Sequence, residues 1–207
     1  MKKINYIILL VTLFGCNNSD YKFVVLKDGI QKDFVEAALE RTKHQIIYNG
    51  NYFNIDYPNG DIPEKFGVCT DVIVRSYRKI NVDLQQLLHE DIKKNFNDYS
   101  IKKHWPKQRR ADSNIDHRRV PNLEIFFSKY GKSLPVSNNK SNYEPGDIVT
   151  WDLMGSSPWH IGIVTNKISP KTNNPLIVHN IGRGPVIDDM IFSFPIRGHY
   201  RYIPEKE

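Results

Sequence analysis

The chain has 207 residues, 40% hydrophobic and 12% aromatic, which is enough for one domain's core and excludes wholesale disorder. Its formal net charge of +6 favours anionic surroundings such as polymers or lipid headgroups, and singles out none of them.

Lys2 and Lys3 precede an eleven-residue apolar run from Ile4 to Phe14. That run is too short to span a bilayer, where about 20 residues are needed, and it fits the core of an export signal. It ends in Leu13-Phe14-Gly15-Cys16 and is followed by the polar Asn17-Asn18-Ser19-Asp20. This order resembles a bacterial lipoprotein signal, which implies removal of residues 1–15 and lipidation of Cys16. Removal takes away two lysines and no acids, leaving a mature charge of +4. The expected location is an exported, membrane-anchored lipoprotein on the periplasmic or outer-membrane side.

Residues 16–29 read as a tether and 30–207 as the domain. Ile30, Phe34, Val35, Ala38 and Leu39 predict an amphipathic helix running to about His44. Residues 45–58 suit short extended pieces and turns, and the prolines and glycine of 57–63 predict a loop. Cys69 to Ile80 reads as a helix with Val72, Ile73, Ser76 and Ile80 along one side. Asp83 would cap a third helix to Phe96, carried by Leu84, Leu87, Leu88 and Ile92. Residues 97–121 are basic and irregular, and Asn122 to Tyr130 predicts a fourth helix closed by Gly131. Short β-branched runs follow at Asp147–Trp151, His160–Asn166, Leu176–Ile181 and His199–Ile203. Helices first and an antiparallel sheet afterwards describe an α+β domain.

Only two cysteines occur, Cys16 and Cys69. With Cys16 lipidated, Cys69 is a lone thiol in an exported protein, either a buried small hydrophobe or a reactive group. Gly67-Val68-Cys69-Thr70-Asp71 puts it at a loop-to-helix junction, where amide dipoles lower a thiol pKa. The neighbouring glycine would let backbone approach a substrate. In Trp159-His160-Ile161-Gly162-Ile163-Val164, strand alternation turns His160, Gly162 and Val164 to one face. His160 can act as a general base if the Cys69 helix packs there. His179 or Asn180, on the next strand, could orient it; they face opposite ways, so only one can, and His179 is preferred. Asp71 suits helix capping or a bond to a nearby arginine. In Asp116-His117-Arg118-Arg119, the arginines could hold a substrate carboxylate or pin the long irregular segment, the second being favoured.

Taken together, Cys69 at a helix start, Pro145-Gly146-Asp147-Ile148-Val149, His160-x-Gly162-Ile163-Val164 and Ile177-Val178-His179 resemble the NlpC-type branch of papain-like peptidases. Gly67–Ile73, Asn114–Leu123 and Gly198–Tyr202 resemble the bacterial family catalogued as domain of unknown function 1287, over roughly residues 30–204. The resemblance implies a papain-like fold and a cysteine amidase or endopeptidase acting on cell-wall stem peptides. Cys69, His160 and His179 would be its catalytic residues. Asn180, Asp71, His117, Arg118 and Arg119 are possible orienting or substrate-binding residues. NlpC-type enzymes carry Asp before the cysteine and Ser-Gly after it; here Val68 precedes and Thr70-Asp71 follow, so substrate contacts made by those residues do not transfer.

No cofactor or metal is expected, since a hydrolase built on His117, His160 and His179 lacks short ligand spacing. The expected partners are peptidoglycan or a peptide, and the membrane through Cys16, with the protein a monomer. Lys102–Arg110 is read as a solvated basic face, not a nucleic-acid site. The alternative to an enzyme is an envelope lipoprotein that binds peptide or polymer with the same fold.

Overall fold

The structure, a computed structural model, describes residues 21–154 and 159–204. The export signal and the lipidation read at Cys16 lie outside the described residues.

The helices occupy the first half. α1 (Ile30–Arg41) follows the expected spacing and ends at Arg41 rather than His44. α2 (Cys69–Lys79) starts at Cys69 itself. Asp71 stops the chain from fraying there, because its Oδ2 accepts the Val68 amide at 2.7 Å. One apolar side was expected on α2, but Cys69 to Tyr77 are buried without interruption. That is the pattern of a helix enclosed on all sides. α3 (Leu84–Lys94) is capped by Asp83, whose side chain accepts the Gln86 amide at 3.2 Å. The irregular stretch contains a short helix, α4 (Ile101–His104), and a 3₁₀ turn at Asp116–Arg118. α5 (Val120–Tyr130) begins ahead of Asn122. Pro121 sits in its first turn, where no amide donor is required.

The first four strands are two-residue pieces that carry no readable period. β1 (Lys22–Phe23) lies in the stretch read as a tether, whereas β2 (Ile47–Tyr48) and β3 (Phe66–Gly67) form a small parallel pair. Then come β4 (Lys132–Ser133), β5 (Ile148–Asp152), β6 (Trp159–Ile168), β7 (Pro175–His179), β8 (Val186–Asp188) and β9 (Ile196–Arg201). They form an antiparallel sheet in the order β4-β9-β5-β6-β7-β8, with β1 added against β6. The chain is thus α+β, helices first and sheet second.

The two sheet faces bury different partners. Ile148, Ile161, Ile163, Val178 and Tyr200 pack against Phe34, Ile73, Tyr77, Leu123 and Phe127 of the helices. Val149, Trp151, Val164 and Ile177 pack against Tyr143, Met190 and Ile191 on the other face. The start of β5 is tied to β9 at Asp147, which accepts His199 Nε2 at 2.7 Å and Arg201 Nε at 2.6 Å.

Gly162 sets how closely β7 can approach β6. A Cβ added there would lie 2.6 Å from Ile177 Cγ2 and 3.0 Å from the Val178 carbonyl oxygen. Gly162→Ala is expected to destabilise the fold by about 1–3 kcal/mol through overpacking. A urea midpoint equal to that of the wild type would contradict this close approach.

Candidate active site

The sulfur of Cys69 is placed by a broken ladder. Val164 donates its amide to Asp147 O, on the β5 side of β6. Amides alternate sides along a strand, so the Ile161 amide points the other way, toward β7. β7 has already ended at His179, and the Ile161 amide lies close enough to the Cys69 thiol to favour its ionised form. The thiol therefore sits in a notch at the end of β7, beside the residue that follows His160.

α2 packs on the Ile161 and Ile163 face, while the His160 ring lies near Trp151, 5.9 Å between centroids, among residues of the opposite face. The helix does not cover the face of His160 and Gly162, as alternation had suggested it would have to. Among the described residues no hydrogen bond joins the Cys69 sulfur to His160 or His179.

On that opposite face the last side chain of β7 meets the first buried one of β6. His160 Nε2 and His179 Nδ1 are 2.9 Å apart, with the rings edge to face. Asn180 does something else: its Nδ2 donates to Gly67 O at 3.4 Å. It ties the end of β7 to the loop ahead of Cys69 and does not reach His160. Gly67 is also closely packed, since an added Cβ would lie 3.0 Å from Ile46 Cγ2. Beyond His179 stands a residue the sequence reading missed. Asp188 Oδ2 is 3.9 Å from His179 Nε2, a buried nitrogen with no hydrogen-bond partner among the described residues.

Burial dominates the protonation of these groups. It pushes the Cys69 thiol up to about 12, although the amides of Ile161, Thr70 and Cys69 pull it down. The dipoles expected at a helix start are present, and desolvation outweighs them. Burial, then the neighbouring His179, pushes His160 down to about 3. His179 is pushed down to about 4 by burial, with the Asp188 carboxylate opposing. At neutral pH the site rests as thiol and neutral imidazoles.

A cleft of about 300 Å³ opens beside Cys69, walled by Tyr48, Trp105, Trp159, Arg119 and Pro121. The basic segment read as a solvated face contributes Trp105 to this wall, so part of it belongs to the site. The two arginines separate. Arg118 is consumed by structure: its Nε and Nη2 donate to Asp71 at 2.9 and 3.1 Å, and it also donates to Asn51 O and Asn49 O. Asp71 thus both caps α2 and pairs with arginine. His117 is buried and held neutral, pushed down to about 3 by burial and by Arg118 and Arg78. It does not join His160 and His179. Among the described residues no group of three or more His, Cys, Asp or Glu is placed to hold a metal ion, and no helix is long and apolar enough to cross a membrane.

The Asn114–Leu123 block explains itself as a knot around this cleft. Asn114 accepts the Ile55 amide at 3.0 Å and donates to Tyr52 Oη at 2.7 Å, Asn122 donates to Asp116 O, and Arg118 O accepts Thr70 Oγ1 at 3.1 Å. The block fixes the loop over the start of α2.

The chain is 46% identical over 167 residues to uncharacterized protein YijF of Escherichia coli (strain K12), covering 81% of this chain and 79% of that protein. A sequence profile described as domain of unknown function (DUF1287) matches residues 35–202, the span that contains Cys69, His160, His179 and the Asn114–Leu123 knot. The chain belongs to that family.

Proposed function

We propose that this protein is a papain-like, NlpC-type cysteine amidase or endopeptidase that hydrolyses amide bonds in cell-wall stem peptides, exported and held at the envelope by lipid on Cys16. The observation that carries the reading is the 2.9 Å contact of His160 Nε2 with His179 Nδ1, on the strand whose next residue, Ile161, packs in one cluster with Cys69.

Two tautomers satisfy that contact. Only the one with hydrogen on His160 Nε2 leaves His160 Nδ1 as an acceptor, and then His179 carries its hydrogen on Nε2, toward Asp188. In that state His160 Nδ1 takes the thiol proton as the sulfur bonds to the amide carbonyl carbon. The Cys69 amide is a natural donor to the resulting oxyanion. The C–N bond breaks as His160 returns the proton to the leaving nitrogen, leaving a thioester. Water then adds, gives a proton to His160, and the carboxylate product leaves as the thiol is restored.

Digesting purified peptidoglycan and weighing the released fragments tests the substrate. The expected products are peptides, each cut adding one water and creating a new amine and a new carboxylate. Fragments ending only in cut glycan would refute the assignment. One observation favours the second reading, a non-catalytic peptide- or polymer-binding lipoprotein: burial holds Cys69 as a thiol. Under that reading the same digestion releases nothing.

A further inference from the structure

Four arginines of this chain hold carboxylates by the same edge, the parallel Nε and Nη2 donors. Arg118 grips Asp71 at 2.9 and 3.1 Å, and Arg75 grips Asp61 at 2.9 and 3.2 Å. Arg197 grips Glu124 at 3.1 and 3.2 Å, and Arg201 grips Asp147 at 2.6 and 3.0 Å. Arg119 is different. Its hydrogen bonds use Nη1 alone, to Gln108 Oε1 and to Asp116 Oδ1 at 3.4 Å. Its Nε and Nη2 have no hydrogen-bond partner among the described residues.

The guanidinium is nevertheless held in place. Its central carbon lies 3.9 Å from the centre of the Trp105 ring, a stacking arrangement that fixes the plane of the fork. Its side chain is only 16% exposed, and what remains open faces a shared wall. Arg119, Trp105 and Ile115 line both the cleft beside Cys69 and an adjoining one of about 530 Å³. A fixed, partly desolvated fork with one edge unused suits a planar, singly charged acceptor.

The geometry points to Arg119 as a carboxylate-binding residue that selects peptides bearing a free carboxylate next to the amide presented to Cys69. The two arginines considered together from sequence thus divide their roles: Arg118 binds the protein's own Asp71, and Arg119 binds the substrate's acid. The hydrolytic consequence rests on the function proposed above; the binding preference does not.

The test uses the full chain carrying Cys69→Ala, with an N-acetylated Ala-Glu-Lys-Ala peptide as probe, its two carboxylates either free or both amidated. Binding is read by calorimetry and by tryptophan fluorescence. The free acid is expected to bind about tenfold or more tightly than the amide, the scale of one charge-assisted fork. Adding Arg119→Gln should bring the free acid down to the amide's affinity. Arg119→Lys, which keeps the charge and loses the fork, should retain only part of the preference. Thermal melting establishes that each variant is folded; should Arg119→Gln unfold, Arg119→Lys carries the comparison. Equal binding of the two peptides, no binding of either, or a full preference surviving in a folded Arg119 variant would overturn the inference. A preference abolished by Arg119→Gln in a protein that cuts no amide would uphold the inference and defeat only the catalytic reading.

Discussion

Replacing Arg118 with methionine is expected to destabilise the fold by about 3–5 kcal/mol, because it strands the Asp71 carboxylate in the interior. Both side chains of the pair are nearly inaccessible, at 1% and 5% exposure. The same guanidinium holds the carbonyls of Asn49 and Asn51, so the loop walling the thiol loses its ties as well. Against a typical domain stability of about 5–15 kcal/mol, the variant should melt early or fail to accumulate. Adding Asp71→Leu should recover much of the loss, since removing both charges avoids the stranded one. Urea unfolding of the single and double variants checks this. A loss under about 1 kcal/mol for Arg118→Met, the scale of an exposed pair, would contradict the interior role assigned to it.

Acid should unfold the protein in a window set by its buried histidines. His117, His160 and His179 are all held neutral, at about 3, 3 and 4 respectively, chiefly by burial. In the unfolded chain they titrate near the ordinary value of about 6.5. Below that value the unfolded state binds protons that the native state refuses, so stability falls as pH drops. Each group removes up to about 2 kcal/mol by pH 5, from 1.36 kcal/mol per pH unit. Asp91 acts in a separate, more acidic window: burial pushes it up, but Lys129, Tyr130, Tyr99 and Asn95 hold it at about 2. The melting temperature should therefore drop steeply between pH 6.5 and 5, with uptake of about three protons on unfolding. A flat profile over that range would show that these histidines are charged in the folded state.

Much of this was readable from local signals. Helix starts at Cys69 and after Asp83 follow from short polar side chains that satisfy open amides. The central strands follow from β-branched runs. What escaped had physical reasons. Lys22–Phe23, Ile47–Tyr48 and Phe66–Gly67 are too short to show a period, and exist because a neighbouring strand offers a free edge. Pro121 looked like the end of an irregular segment, yet it is tolerated in a first helical turn. Alternation showed that only one of His179 and Asn180 can meet His160; which one does depends on the register that pairs Ile163 with Val178. Asp188 was not legible, because only the pairing of Ile177 with Asp188 brings it back alongside β7. Nor could the sequence divide Arg118 from Arg119. Adjacent and chemically identical, they differ only in what packing puts in front of them: Asp71 for one, an open cleft for the other.

The claim that Cys69 attacks an amide with His160 as its base is tested most directly by the rate of fragment release from purified cell wall, measured side by side for wild type, Cys69→Ala and His160→Ala. Cys69→Ala should release nothing above background, and His160→Ala should fall at least about a hundredfold, the low end for a lost general base. Cys69→Ala releasing fragments as fast as wild type would contradict the account.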